Sequence, residues 1–336
     1  MLFIFIIFSC CFVNFYNRPD DLFLAVGVAK DMCIKPRSAS GSAILLFHVD
    51  PHSGAMTLSH TTIIDAIPSA VTAFGGRLLA GVGSVLRLYD VGKKQLLRKC
   101  EARIPTMITA LDTQGWRVFA GDNSYSLLIF QYQTADNRFV LVADDLNPRA
   151  ITCLLPLDYE TVAIADRMGN FTVLRLTAAV AEDLENDTRA GVVLAKRGHL
   201  FGAPHKLERL AEFYLGDTIM SLKKCSMWPG ARELVLYTTI SGAYGVFLPF
   251  AQRQDALFCQ NLEMRMRSEA PAALLGRDHL TYRSYYAAVK SVIDGDLCEE
   301  FTSLEDSRQQ SVANDLGINH AELMFKLEEL RTAAGL

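Results

Sequence analysis

The feature that most constrains this chain is a recurring unit of two apolar runs separated by a short turn of Gly, Asp, Asn or Ser residues. The runs are rich in β-branched and aromatic residues, which favours β-hairpins. Five copies can be read, beginning near Leu22, Arg77, Arg117, Thr161 and Glu233. A repeat of this kind predicts an array of similar small β-sheets.

The spacing of the middle copies identifies the array. They begin 40 and 44 residues apart (77 to 117, then 117 to 161), the repeat length of a four-stranded propeller blade. Each hairpin would supply the two central strands of a blade, and flanking runs would supply the outer strands. These runs are 95–100, 139–143 and 208–215 after hairpins, and 107–111, 151–155 and 218–222 before them. No Trp-Asp dipeptide closes a blade, so an ordinary WD40 propeller is not expected.

The sequence predicts three regions. Residues 1–20 are a hydrophobic segment that is a secretory signal, a buried strand or a wrongly assigned start of the reading frame. Residues 21–250 are β-propeller blades, interrupted from Ala178 to His205 by a charged stretch that we expect to be an exposed loop. Residues 251–336 form a small helical domain. Four or five blades could close alone, or an N-terminal portion of the propeller could be missing.

Helical periodicity marks the last region. Leu297, Phe301 and Leu304 are spaced i, i+4 and i+7 after a cap at Asp294. A second helix is expected after Asn319, because Asn319 stands three residues before Glu322 in an arrangement that resembles a capping box. Leucines then follow along one face of this helix. The residues of that face are Leu323, Leu327 and Leu330.

Composition argues against several function classes. The formal net charge is -4 and both signs are spread along the chain, so no global field attracts nucleic acid. The eight cysteines lack metal-ligand spacing, and a reduced compartment fits them best. Gly81-x-Gly83 lacks the third glycine of a dinucleotide loop and is expected to be a tight turn. We therefore expect no catalytic residues, no cofactor-binding residues and no metal site.

Two pairs of residues invite sharper interpretations. Asp144 and Asp145 could be an acid–base pair, but adjacent side chains on a strand point to opposite faces, so loop capping is favoured. His48 and His52 have the spacing of a helical metal pair, but Pro51 and the alternating run before it exclude a helix. Both histidines are expected in a solvent-facing turn.

Candidate interface residues fall into two groups. The first is the densest basic cluster, which could contact RNA phosphates, bind a partner, target the nucleus or simply be a solvated hairpin; strand alternation places Arg98 and Lys99 on opposite faces. The second combines residue types enriched at interfaces, although core packing is an equal alternative. The groups are Arg87, Lys93, Lys94, Arg98 and Lys99, and then Tyr282, Arg283, Tyr285 and Tyr286.

Several segments carry a family resemblance. The string 81–101 (GVGSVLRLYDVGKKQLLRKCE) closely resembles the splicing factor 3b subunit 3 family, and four other segments agree with it. The resemblance runs from about Leu22 to the C-terminus and matches the C-terminal third of that longer family. The agreeing segments are 26–31 with 35–38, 143–159, 276–286 and 292–299.

The resemblance implies three seven-bladed propellers and a C-terminal helical domain, with this chain holding the later blades of the third propeller. It implies a non-catalytic nuclear scaffold in the U2 small nuclear ribonucleoprotein, which binds the large helical-repeat subunit and the small subunit of splicing factor 3b. Membrane and small-molecule substrates are not expected. The alternatives are a propeller adaptor in ubiquitin ligation or DNA-damage recognition, as in the wider superfamily, and an enzyme. Ala150 departs from the family, which usually has tryptophan there.

Overall fold

A computed structural model of the chain describes residues 5–33, 35–36, 38–186, 202–269 and 289–334. Tyr282, Arg283, Tyr285 and Tyr286 lie outside the described residues, as do 187–201 of the expected loop.

Strands dominate the described residues. They are β1 (Phe5–Phe15), β2 (Arg18–Lys30), β3 (Gly41–Val49), β4 (Met56–Ile64), β5 (Pro68–Phe74), β6 (Arg77–Val82), β7 (Val85–Val91), β8 (Leu96–Arg103), β9 (Ile108–Gln114), β10 (Arg117–Asp122), β11 (Ser126–Gln133), β12 (Arg138–Asp144), β13 (Ile151–Pro156), β14 (Thr161–Asp166), β15 (Asn170–Arg175), β16 (His205–Lys206), β17 (Glu208–Tyr214), β18 (Ile219–Cys225), β19 (Leu234–Thr239) and β20 (Tyr244–Phe247). The helices are α1 (Ala178–Asn186), α2 (Arg253–Glu269), α3 (Gly295–Glu299), a 3-10 turn (Glu300–Ser303), α4 (Asp306–Asp315) and α5 (His320–Ala334).

These strands form small sheets of the expected kind. Their orders are β1-β2-β3-β4, β5-β6-β7-β8, β9-β10-β11-β12-β16, β13-β14-β15-β17 and β18-β19-β20. The first four hairpins are the central strands of their sheets, and every pairing given in register is antiparallel except β12 with β16. The prediction of a mainly β, partial propeller-like fold is confirmed, and no closed propeller is seen among the described strands.

The chain divides into two compact units. The first comprises Met1–Arg167 with Val173–Arg209, and the second comprises Met168–Thr172 with Leu210–Leu336.

In the first unit, the sheets stack face to face in chain order. The first strands β1, β5, β9 and β13 lie side by side. Because successive side chains on a strand point to opposite faces, Leu78 packs toward the first sheet and Leu79 toward the third. The strand β6 is therefore buried on both faces and reads as one apolar run. Residues of neighbouring sheets that share the three successive cores include Phe23 and Leu78, Leu88 and Phe130, and Phe119 and Ile164.

Glycines on the second strands permit this stacking. A Cβ atom on Gly81 would lie 2.5 Å from Cγ2 of Ile108, which begins the first strand of the next sheet. Real Cβ atoms are not found so close to another carbon, so only glycine fits without a shift of the backbone. The same contact recurs from sheet to sheet. The pairs are Gly27 with Pro68 (2.7 Å to its carbonyl oxygen), Gly81 with Ile108, and Gly121 with Ile151 (2.7 Å to Cγ2).

Hydroxyl groups complete the same junctions. Ser69 and Thr109 are the extra residues of β-bulges in β5 and β9. The Ser69 hydroxyl lies 2.5 Å from the carbonyl oxygen of Ile108, and the Thr109 hydroxyl lies 2.7 Å from that of Ile151. Each bulge thus aims a donor at the following sheet.

The first sheet packs on the second sheet through one face, and its other face is partly exposed. Val13 and Phe15 of β1 are in the core with the second sheet. On the opposite face, large apolar side chains are more than half exposed. They are Phe12, Met56, Leu58 and Ile63.

The second unit contains β18–β20 and the helices α2–α5, whose core centres on Phe301, Leu262 and Leu323. The Asp294 carboxylate accepts a hydrogen bond from the Leu297 amide at 3.3 Å, and the predicted cap is confirmed. The predicted apolar face of α5 is also confirmed, because its leucines pack into this core.

Two local predictions were wrong. The expected exposed loop after Ala178 begins with α1, because its three alanines favour a helix. Ala181, which is 3% exposed, and Val180 pack this helix on the third core. His48 lies in β3 and not in a turn, and its ring packs edge-on against Phe23 at 5.6 Å. His52 is exposed in the following turn, as predicted.

The carboxylates of Asp144 and Asp145 fasten loops, as predicted. Asp144 accepts from the Ala203 amide at 3.0 Å and is paired with Lys206. Asp145 accepts from the Ser126 hydroxyl at 2.7 Å and is paired with Arg149 at 3.1 Å. Their partners lie in different segments, which agrees with side chains on opposite faces.

Candidate functional site

Turns at one end of the first three sheets lie against one another. The turn between β5 and β6 consists of Gly75 and Gly76, both with positive φ (52° and 70°). A Cβ atom on Gly75 would lie 2.9 Å from the ring of Trp116, in the β9–β10 turn. A Cβ atom on Gly76 would lie 3.1 Å from the backbone nitrogen of Tyr16, in the β1–β2 turn. The double-glycine turn is therefore bordered by an aromatic residue from each neighbouring sheet.

Beneath these turns lies a cluster of aromatic rings. The ring of Phe74 meets those of Trp116 and Tyr132 edge-on, with centroids 5.8 and 5.4 Å apart. The rings of Trp116 and Tyr132 are tilted at 5.9 Å, and Phe139 packs on Tyr132 at 5.4 Å. Edge-to-face pairs add to the energy of area burial, by about 0.5–1.5 kcal/mol each. Trp116 is 46% exposed and Tyr16 is 82% exposed, so a rigid base carries two accessible rings.

A chain of hydrogen bonds holds the polar edge of this cluster. Nη1 of Arg77 donates to the Tyr132 hydroxyl at 2.8 Å, and that hydroxyl donates to Oδ1 of Asn137 at 2.6 Å. Nδ2 of Asn137 donates to the backbone carbonyl of Lys99 at 3.2 Å. Four residues of the second and third sheets are thus fixed relative to one another.

The rings and polar groups enclose a cavity of about 490 Å³, here named the turn cleft. Lys99 and Asp90 face each other in it at 3.6 Å. The guanidinium of Arg77 bonds the Tyr132 hydroxyl, and no described carboxylate lies within 4 Å of it. The turn cleft therefore has a surplus of positive charge. It is lined by Tyr16, Asn17, Phe74, Gly75, Arg77, Asp90, Lys99, Trp116, Tyr132 and Thr134.

The structure separates the basic residues that the sequence grouped. Arg87 is buried and ion-paired with Asp65, and its Nε lies 3.4 Å from Glu101. The hydrogen bond between Arg87 and Asp65 raises the pKa of Arg87 and lowers the pKa of Asp65. Arg98 pairs with Glu101 at 3.0 Å. Arg87 and Arg98 are therefore engaged with carboxylates on one face of the sheet.

Lys93 and Lys94 are exposed in the turn between β7 and β8. Lys99 is the extra residue of a bulge in β8 and points with Asp90 into the turn cleft. Arg98 and Lys99 thus contact carboxylates on different faces, and of the five grouped residues only Lys99 lines the turn cleft.

Sequence reasoning missed Tyr16, Arg77 and Trp116. A signal was present, because an arginine begins β2, β6 and β10, directly after a turn that contains Tyr16, Gly75–Gly76 or Trp116. Arg117, the third of these arginines, donates to the Tyr159 carbonyl at 2.6 Å and lies 3.8 Å from the centre of the Tyr159 ring. The three turns therefore occupy equivalent positions in their sheets, and each is followed by an arginine at the start of the second strand.

The chemistry available in the turn cleft is stacking, cation–π contact and hydrogen-bond donation. Burial raises the pKa of Cys100, which packs on the same core, to about 11, so its thiol is protonated at neutral pH. Across the described residues, no group of three His, Cys, Asp or Glu side chains could hold a metal ion. None of the described helices has the length and apolar character needed to span a bilayer.

Comparison with known proteins gives one family. Residues 6–303 match the family model described as the CPSF A subunit region. Splicing factor 3B subunit 3 of Drosophila melanogaster is 45% identical over 311 residues, which cover 92% of this chain and 25% of that protein. The Danio rerio protein of the same name is 43% identical over 326 residues (97% and 27%). Pre-mRNA-splicing factor RSE1 of Mycosarcoma maydis is 42% identical over 328 residues (97% and 27%). The chain spans about a quarter of the length of these relatives.

Proposed function

The chain belongs to the family of the CPSF A subunit region, and on that premise we propose that it is a non-catalytic scaffold that acts in pre-mRNA splicing in the nucleus. The observation that carries the proposal is the likeness, over nearly the whole chain, to proteins named as splicing factor 3B subunit 3. A stack of rigid sheets supports it, since such a stack displays turns and edges in fixed positions to which other proteins can bind.

The partners of this scaffold are the other subunits of splicing factor 3b, a large helical-repeat subunit and a small subunit, with RNA contacted at most at the periphery. Residues 21–250 supply the blades and residues 251–336 the helical domain. The candidate contacts carried forward are the exposed turn of Lys93 and Lys94 and the segment with Tyr282, Arg283, Tyr285 and Tyr286. Arg87 and Arg98 contribute less to partner binding, because each is ion-paired with a carboxylate of the same chain.

Affinity purification tests the proposal. The tagged full chain, expressed in Drosophila cells and purified from nuclear extract, is expected to enrich splicing factor 3b subunits over a tag-only control. A variant with a disrupted stack, Gly121→Val, should lose this enrichment, because the Cβ atom would collide with Ile151. Mass spectrometry reads out the enrichment.

Enrichment of cullin-type ligase subunits in place of splicing factor 3b subunits would favour the adaptor function and contradict the proposal. Equal recovery of splicing factor 3b subunits with Gly121→Val would show that the capture does not depend on the folded sheets, and it would also contradict the proposal.

A further inference from the structure

The side chains of the turn cleft leave binding groups unused. Arg77 donates one N–H to the neutral Tyr132 hydroxyl, so its guanidinium keeps further donors and its full charge. The Trp116 and Tyr16 rings are exposed beside it. An arginine next to accessible aromatic rings is the composition of interface hot spots.

Charge decides what the turn cleft accepts. Lys99 already faces Asp90 at 3.6 Å, which leaves Arg77 as the cation without an acidic partner among the described residues. One such cation suits one carboxylate, whereas strong binding of a nucleic-acid backbone requires several neutralised phosphates. The net charge of -4 adds no long-range attraction for RNA. Protein ligands with a carboxylate are favoured over RNA.

The shape of the turn cleft adds a second requirement. Its volume of about 490 Å³ lies in the range of sites that bury small ligands (about 300–1,000 Å³). Its base is apolar, formed by Phe74 and Tyr132, and its rigidity follows from the hydrogen bonds from Arg77 to Lys99. An anchor side chain that packs on these rings would exclude water from the ion pair with Arg77 and strengthen it.

We propose that the turn cleft binds a partner-protein segment that presents an aromatic side chain next to a carboxylate. The aromatic side chain packs against the exposed parts of the Trp116 and Tyr16 rings, and the carboxylate pairs with Arg77. The inference rests on the proposed scaffold function and adds to it a site and the chemistry of its ligand.

The two tryptophans of the chain provide the test. Trp116 lines the turn cleft and Trp228 lies in the second unit, and both are 46% exposed. The full chain is labelled with 5-fluorotryptophan, and the two fluorine resonances are assigned with the variant Trp228→Phe. Titration with the peptide Gly-Glu-Phe-Glu-Gly is expected to shift the Trp116 resonance and leave that of Trp228 in place. With both peptides amidated at the C-terminus, Gly-Gln-Phe-Gln-Gly should bind at least tenfold more weakly, since it lacks the two side-chain carboxylates.

Variants locate the interaction. Arg77→Met should weaken binding of the acidic peptide at least tenfold, while Tyr132 keeps its bond to Asn137. Lys93→Met is the matched control, because it also removes one cation but outside the turn cleft, and its affinity should equal that of the unchanged chain. Unchanged far-ultraviolet circular dichroism spectra of both variants without peptide verify that they fold.

Three results would overturn the inference: equal shifts of both tryptophans, equal binding of the two peptides, or a shift of Trp116 by heptauridine but not by the acidic peptide. Capture of splicing factor 3b subunits by the same preparation would show that the scaffold function stands even when the cleft inference fails.

Discussion

Replacing Gly81 with valine is expected to lower the free energy of unfolding of the first unit by about 3 kcal/mol. The new Cβ atom would lie 2.5 Å from Cγ2 and 2.8 Å from Cβ of Ile108, and the two further methyl groups increase the crowding. Neither residue can move alone, because β6 and β9 are each bonded within their own sheets. Urea unfolding followed by Trp116 fluorescence in a Trp228→Phe background measures the change.

Gly41→Val is the matched control for this substitution. Gly41 also lies in a strand, but a Cβ atom there would have no heavy atom within 4 Å. Its effect should stay within about 0.5 kcal/mol, as for other surface substitutions. If Gly81→Val were as mild as Gly41→Val, the close approach of consecutive sheets would be wrong.

Phe301→Ala is expected to destabilise the second unit by about 3–5 kcal/mol, the usual cost of removing a buried phenylalanine. Phe301 is 0% exposed, lies in the core that joins the helices, and packs near the His320 ring at 6.1 Å. The loss of helical circular dichroism during urea unfolding reports on this unit, since most helical residues belong to it.

Phe325→Ala provides the comparison, because Phe325 lies on α5 but is 67% exposed. It should change the free energy of unfolding by less than about 0.5 kcal/mol. Similar losses from the two alanine substitutions would contradict the assignment of Phe301 to the helical core.

The hairpins could be predicted from sequence because their information is local. Alternating apolar residues and a glycine turn lie within one segment, as in Arg77–Asp90, and the structure has β6 and β7 there. The short helix α1 was missed because a nine-residue helix is marginal without tertiary contacts. Its contact through Ala181 with the third core is not visible in the local sequence.

The site was harder to predict than the fold because its parts come from three sheets. Tyr16, Arg77 and Trp116 are far apart in sequence and meet only after the sheets stack. Local charge density pointed to Arg87, but Asp65 reaches it from a strand connection 22 residues earlier. The family resemblance supplied the architecture and gave no information about this cleft.

Both the turn cleft and the scaffold function require that consecutive sheets lie face to face. A double-mutant cycle between Gly81 and Ile108 tests this most directly, since these residues belong to different sheets and meet only in such a stack. Ile108→Ala removes Cγ2 and Cδ1, which would lie 2.5 and 3.1 Å from the new methyl group of Gly81→Ala, and leaves Cβ at 2.8 Å. The double variant should therefore be more stable than the sum of the single effects predicts, by at least about 1 kcal/mol. Additive effects, within about 0.3 kcal/mol, would contradict the stacked arrangement.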